Sequence, residues 1–261
     1  MKQGFFFDMD GTLYNNDYHE VSIKTFKALK QLQQNGHIVC LATSRTIREL
    51  DNLPRAMFNF DFYYRILDGG SLILDKEGNT IDKKVIPESI MEDVVKFCDR
   101  NHLTLRYSTE NGNYFHDVPT DYEYKFYHWL YLNTPDIKKY DKDDALNILV
   151  YTYTDEQAKE VLDIVKGCSI VRYKDCFEIK PEHTDKALSI QKIIEWEKID
   201  RSYCFGDGPN DVDMLKIADV GIAMGNGCKA CKEVADVVIG NVDEDAIYKY
   251  LLENNLCKEV D

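Results

Sequence analysis

Long apolar runs, positive charge and framework cysteines are what this 261-residue chain has little of. No apolar stretch nears the roughly 20 residues a membrane helix needs, so no span is expected. Lys and Arg number 32 against 46 Asp and Glu, a formal net charge of −14 at pH 7 spread along the chain. Nucleic acid and anionic membranes are bound by neutralising phosphates with Lys and Arg, so neither is an expected partner. The eight cysteines show no framework spacing and read as free thiols of a reducing cytoplasm. Cys228-Lys229-Ala230-Cys231 is the one close pair. Without a second pair it makes no zinc site, and its residues read as helix. The first residues lack a basic stretch followed by an apolar run and a small-residue cleavage site, so no signal peptide is expected. There is no internal repeat, no low-complexity tract and no heptad to declare an oligomer, so oligomeric state stays open.

What is present begins with Phe5-Phe6-Phe7-Asp8-Met9-Asp10-Gly11-Thr12-Leu13. Three consecutive apolar residues read as a parallel strand covered on both faces. Two carboxylates, Asp8 and Asp10, stand at its end, and Gly11 permits a sharp turn. Close carboxylates repel one another. A cation within reach of both offsets the repulsion, and hard oxygen donors suit Mg²⁺; the plainer reading is a pair of solvated turn aspartates. The run His37–Ala42 reads as a second strand ending in Thr43-Ser44-Arg45. Lys186 opens an apolar-periodic helix, and Tyr203-Cys204-Phe205 reads as a third strand broken by Gly206-Asp207-Gly208-Pro209-Asn210-Asp211. Each polar cluster follows an apolar run, which is where open α/β sheets place their ligands.

Taken in order, these clusters resemble the haloacid dehalogenase-like hydrolases. Asp8-Met9-Asp10-Gly11-Thr12-Leu13 matches the nucleophile motif DxDGT, Thr43 the second-motif hydroxyl and Lys186 the third-motif lysine. Gly206-Asp207 with Asn210-Asp211 matches the acidic fourth motif. Asp219 to Gly227 is similar to the segment that follows in the Cof-like branch, which carries a large C2-type cap between its second and third motifs. There are departures. Ser44 stands where that branch has the glycine of Thr-Gly-Arg, Asp68-Gly69-Gly70 where it has Asn-Gly-Ala, and Pro209 interrupts the fourth motif.

The resemblance and the strand pattern imply one fold: a doubly wound, parallel-sheet, Rossmann-like α/β core with an inserted α+β cap. Residues 1–80 and 182–261 would form the core and 81–181 the cap. In the first segment Val21–Gln34 predicts a helix stopped by Asn35-Gly36, Thr46–Met57 a short helix, and Asp75–Asn79 a hairpin turn. In the cap, Pro87–Asn101 and Asp155–Lys166 predict helices, and Asn111-Gly112 a tight hairpin between strands. The aromatic run Tyr122–Tyr131 reads as a helix of the cap's own core. Glu244–Leu256 closes the chain as a helix.

A carboxylate needs no base to activate it at neutral pH, so Asp8 is the expected nucleophile, forming an aspartyl-phosphate. Asp10 is the expected general acid and then base, with its backbone carbonyl on the metal as the resemblance implies. Mg²⁺ is expected on Asp8, Asp10, Asp207 and Asp211, with waters completing its shell. Thr43 and Lys186 would bind the transferring phosphoryl group. Gly11, Thr12, Ser44, Arg45 and Asn210 are the further substrate-binding candidates, Gly11 and Thr12 through backbone N–H groups and Asn210 by orienting Lys186 or the metal shell. Asp211 is also a candidate helix N-cap. In the cap, Arg106, Tyr114, His116 and the Tyr122–Tyr131 aromatics are candidate leaving-group contacts. The expected function is Mg²⁺-dependent hydrolysis of small phosphorylated metabolites, either sugar phosphates or cofactor monophosphates such as FMN or pyridoxal phosphate. A sugar phosphomutase, or a non-catalytic metabolite-binding protein on the same fold, is the alternative.

Overall fold

The computed structural model describes residues 1–54, 57 and 60–260. Arg55, Ala56, Phe58 and Asn59, at the end of the helix expected over Thr46–Met57, lie outside the described residues, as does Asp261. The first segment holds β1 (Gln3–Phe7), β2 (Tyr14–Asn15), β3 (Glu20–Val21), α1 (Ile23–Gln34), β4 (Ile38–Ala42), β5 (Tyr64–Leu67), β6 (Leu72–Asp75) and β7 (Thr80–Lys83). The middle holds α2 (Glu88–Asn101), β8 (Leu105–Thr109), β9 (Gly112–Phe115), α3 (Asp121–Trp129), β10 (Asp136–Ile137), β11 (Asn147–Tyr151), α4 (Asp155–Ile164), β12 (Ser169–Arg172) and β13 (Cys176–Lys180). The last part holds α5 (Lys186–Glu197), β14 (Arg201–Gly206), α6 (Val212–Ile217), β15 (Val220–Ala223), α7 (Lys229–Val234), β16 (Val237–Val238) and α8 (Ala246–Glu253).

The larger sheet runs β16-β15-β14-β1-β4-β5-β6-β7. Its strands from β16 to β5 are parallel, and β6 and β7 add an antiparallel edge. The hairpin turn expected at Asp75–Asn79 joins those two edge strands. β1 lies near the middle, which explains its unbroken apolar run: Phe5, Phe6 and Phe7 are all fully buried. Phe5 and Phe7 stack on Tyr203 and Phe205 of β14 on one face of the sheet. Phe6 packs on the other face with Cys40, Ile190 and Met214. Side-chain alternation along one strand therefore feeds two cores.

α1 starts where the Ser22 hydroxyl accepts the Thr25 N–H, and stops at Asn35. α5 starts where the Asp185 carboxylate accepts the Leu188 N–H at 2.7 Å, which fixes Lys186 in its first turn. The helix expected over Thr46–Met57 is, within the described residues, a 3₁₀ turn at Ile47–Leu50. Thr46 and Glu49 close a capping box at its start. The bonds that follow run i to i+3, from the Asp51 N–H to the Arg48 carbonyl and the Leu53 N–H to the Leu50 carbonyl, up to Pro54, which has no N–H to carry a helix on.

The smaller sheet runs β10-β9-β8-β11-β13-β12. Leu105, Tyr107, Ile148, Val150, Phe177 and Ile179 pack with Met91, Val94 and Phe97 of α2 and Val161 of α4. The alternate residues of the same strands point to the opposite face. There Arg106, Leu149 and Glu178 stand abreast, since Leu149 is opposite Arg106 in one register and Glu178 in the other. That face roofs the end of the larger sheet. Neither the ribbon β2–β3 nor the parallel β9–β10 pair was marked by any run of residues long enough to read.

Candidate active site

The expected site residues collect where β1, β4 and β14 end. Gly11 holds the turn after β1 at φ +80°, and a Cβ there would lie 2.3 Å from the Asp207 carboxylate, so no side chain fits. Its carbonyl accepts the Asn226 side-chain amide at 2.8 Å. The Gly11 N–H is spent on the Tyr14 carbonyl and the Thr12 N–H on the Met9 carbonyl, rather than left open. Thr12 contributes through its hydroxyl, which donates to Asp207 Oδ1 at 3.1 Å.

Lys186 is buried at the centre. Its Nζ donates to Asp8 Oδ1 at 2.6 Å and to Asp211 Oδ1 at 2.7 Å. Burial alone would strip its proton, but the two carboxylates outweigh burial and hold it above the usual lysine range. The second oxygen of Asp211 accepts the backbone N–H groups of Asp207 and Gly208 at 3.0 and 2.9 Å. Asp211 therefore caps the turn that follows β14, and its side chain makes no capping bond to α6. Burial first, then the Asp211 charge, raises Asp8 well above the usual carboxylate range, with Lys186 opposing. The same two causes push Asp207 up to about 7.

Asp8, Asp207 and Asp211 each offer one oxygen within 4.8 Å of the other two. Three carboxylates and one ammonium leave excess negative charge in a buried place. All-oxygen donors are what Mg²⁺ takes, so the residues fit that ion. The carboxylate of Asp10 is engaged elsewhere: Arg45 donates to it from Nε at 2.8 Å and from Nη2 at 2.6 Å. Arg45 is itself buried, over the Tyr14 ring, and its Nη1 donates to the Glu49 carbonyl.

Thr43 is buried at the end of β4, and its hydroxyl oxygen accepts the Arg45 N–H at 3.1 Å. Asn210 does not reach Lys186 in any bond of this structure. Its amide donates to the Ser44 hydroxyl at 2.9 Å, tying the fourth-motif turn to the second. Of its two expected roles, the bond to Lys186 is thereby corrected, because the 3₁₀ turn at Pro209–Asp211 aims Asp211, not Asn210, at the lysine.

A cavity of about 440 Å³ opens from Asp8, Asp10 and Asp207 toward the cap. Arg106 lines it, as do Tyr122, Phe126 and Tyr127 of the aromatic run. Tyr127 is buried as expected of cap core, whereas Phe126 is half exposed to the cavity. Tyr114 and His116 stand away from it: Lys138 covers the Tyr114 ring, and His116 accepts the Tyr140 N–H. The sequence reading missed Glu49, Asn147 and Glu178, which line the cavity. A signal existed for each. Glu49 completes a Thr-x-x-Glu capping box, and the other two are polar residues within apolar strands. Cys231, in α7, donates its thiol to the Gly208 carbonyl and supports the turn behind the site.

The sequence profile of haloacid dehalogenase-like hydrolases matches residues 5–251. Among relatives, YkrA of Bacillus subtilis strain 168 is 27% identical, over 97% of this chain and 98% of its own. The HMP-PP phosphatase of Yersinia enterocolitica is 25% identical, over 94% of this chain and 92% of its own. The solved structure of the subclass IIB sugar phosphatase BT4131 superposes with a TM-score of 0.88 at 27% identity, covering 98% of this chain and all of that one. The chain belongs to the haloacid dehalogenase-like hydrolases, in their Cof-like, capped division. It is a phosphatase, a phosphoric monoester hydrolase of that family. No helix among the described residues is long and apolar enough to cross a membrane.

Proposed function

We propose that the protein hydrolyses phosphate monoesters of small metabolites through an aspartyl-phosphate on Asp8, with Mg²⁺ as cofactor. The observation that carries this reading is Lys186, buried between Asp8 and Asp211 with Asp207 beside them. Lys186 occupies Asp8 Oδ1, which leaves Oδ2 to attack phosphorus. The P–O bond to the alcohol breaks as Asp10 delivers a proton to the leaving oxygen. Water then attacks the phosphorus, Asp10 takes its proton, the bond to Asp8 breaks, and inorganic phosphate leaves. The Thr43 hydroxyl and Lys186 hold the equatorial oxygens. Asp8, Asp207 and Asp211 would hold Mg²⁺, joined by the Asp10 carbonyl as the family resemblance implies. The ion supplies positive charge to a phosphoryl group that enters an acidic site.

The core is read as residues 1–80 and 182–261 and the cap as 81–181, although β7 (Thr80–Lys83) pairs in the larger sheet, which favours a first boundary just past Lys83. All eight cysteines are free, which supports a reducing compartment such as the cytoplasm. Relatives' names include a 5-amino-6-(5-phospho-D-ribitylamino)uracil phosphatase as well as the HMP-PP and sugar phosphatases, so kinship leaves both cofactor monophosphates and sugar phosphates in view. Phosphate release is the test, run with Mg²⁺, with EDTA, and with Asp8→Asn. Mg²⁺-dependent release that Asp8→Asn abolishes is the expected result. Full turnover by Asp8→Asn overturns the nucleophile, and full activity in EDTA overturns the metal.

A further inference from the structure

The cavity changes character along its length. At the Asp8 end it is lined by the polar side chains of Asp8, Asp10, Thr43 and Asp207. At the cap end Phe126, Leu130, Leu132 and Leu149 are half-buried and offer carbon to the cavity. Most polar side chains of that end are already paired with one another; Lys174 and the Tyr151 hydroxyl are the exceptions in the lining. Arg106 is spent on three partners: Nε donates to the Tyr127 hydroxyl at 3.2 Å, Nη1 to Asn147 Oδ1 at 3.1 Å, and Nη2 to Glu49 at 3.4 Å. Glu49 further accepts the Asn113 amide and the Thr46 N–H, each at 2.9 Å. Glu178 accepts the Asn147 amide at 2.7 Å and the Tyr173 hydroxyl at 3.2 Å.

We propose that the leaving group is a flat aromatic or heteroaromatic alcohol, seated between Phe126 and Leu149, rather than a sugar. This deepens the phosphatase reading and rests on it. A sugar brings several hydroxyls. On entering this end they would give up water and find donors and acceptors that are mostly engaged, a loss for each hydroxyl left unmatched. A ring presents carbon faces to carbon walls and gains by burial and stacking. Tyr151, in the same wall, keeps a buried hydroxyl without a hydrogen-bond partner, and a ring nitrogen or carbonyl is the acceptor that suits it. The cavity volume lies in the range that encloses one such ligand.

The test compares kcat/KM for pyridoxal 5′-phosphate and benzyl phosphate with that for glucose 6-phosphate and ribose 5-phosphate. Acetyl phosphate, whose leaving group is small, reports the hydrolytic chemistry alone. The ring esters are expected to exceed the sugar esters by about tenfold or more, the effect of burying one large apolar side chain's worth of surface. Phe126→Ala should cut that ratio about tenfold, chiefly through KM for the ring esters. Leu149→Asn gives the same readout from another element should the helix variant fold poorly. Sugar esters equal to or better than ring esters, with acetyl phosphate hydrolysed, would overturn the leaving-group assignment and leave the phosphatase standing. Hydrolysis of none of the panel, acetyl phosphate included, would overturn both.

Discussion

Arg45 grips both carboxylate oxygens of Asp10, with Nε 2.8 Å from one and Nη2 2.6 Å from the other. The guanidinium is anchored from behind by the Glu49 carbonyl and the Tyr14 ring. Asp10 therefore has its orientation set before any substrate arrives, and by a residue 35 positions away in sequence. Asp10 must exchange part of this grip for the leaving oxygen during turnover.

Arg45→Lys tests that positioning. Lysine keeps the charge but not the two-pronged fork, so Asp10 should lose its fixed orientation. A fall of about 10²-fold in kcat, with a smaller change in KM, is expected from misplacing an acid by about an ångström. Steady-state kinetics check it. A change confined to KM would make Arg45 a plain substrate contact.

Lys186→Met should cost stability as well as activity. The lysine is buried, and its loss leaves Asp8 and Asp211 without their shared cation. Breaking a buried pair by removing one partner costs about 3–5 kcal/mol. At roughly 2–4 °C per kcal/mol for a chain of this size, thermal unfolding in EDTA should fall by about 6–20 °C. An unchanged Tm would mean the carboxylates pick up protons at no cost to the fold.

The catalytic end was legible in the sequence because each residue of it follows a strand that announces itself. Phe5-Phe6-Phe7 leads to Asp8, Ile38–Ala42 to Thr43, and Tyr203–Phe205 to Asp207. Lys186 was legible through the helix it opens. The cap end was not, for a physical reason. Arg106, Asn147 and Glu178 come from three strands joined through long connections, and only the sheet register sets them side by side. Each also sits inside an apolar run, where alternation assigns it to one face without saying what that face covers. The partner of Arg45 was equally hidden, since it depends on where the turn after Phe7 points Asp10. The β6–β7 edge shows the same limit: its hairpin turn could be read, but not that it would extend a parallel sheet.

Metal binding can be checked without turnover. Burial and mutual repulsion make Asp8 and Asp207 reluctant to ionise together. A cation bound only by the folded state stabilises it, by about 2.7 kcal/mol at a hundredfold excess over Kd. Wild-type protein should therefore melt roughly 5–10 °C higher in saturating Mg²⁺ than in EDTA. Asp207→Asn should lose most of that gain, and an equal Mg²⁺ shift in the variant would remove Asp207 from the ligand set.

Asp68 sets a pH dependence that a single amide should erase. It is fully buried at the junction of the two sheets, at φ +52°, where its N–H donates to the Arg45 carbonyl. Burial pushes its carboxyl from 3.8 up to about 7, against the Ser108 hydroxyl and the Arg106 guanidinium; the Glu49 and Glu178 carboxylates add to the rise. The folded state thus holds a proton that the unfolded chain releases above pH 3.8. Stability from this group is full below that pH, falls as pH rises through the interval, and is gone above about 7. Asp68→Asn keeps the shape, tolerates the left-handed backbone and carries no charge to bury. Its Tm should match wild type near pH 4 and exceed it by about 3 °C or more at pH 8, since each kcal/mol is worth roughly 2–4 °C. Asp207, up at about 7, tilts the wild-type curve the same way. The decisive quantity is therefore the difference between variant and wild type across pH, measured by calorimetry in EDTA. A difference that stays flat from pH 4 to 8 would show that Asp68 is ionised in the folded protein throughout.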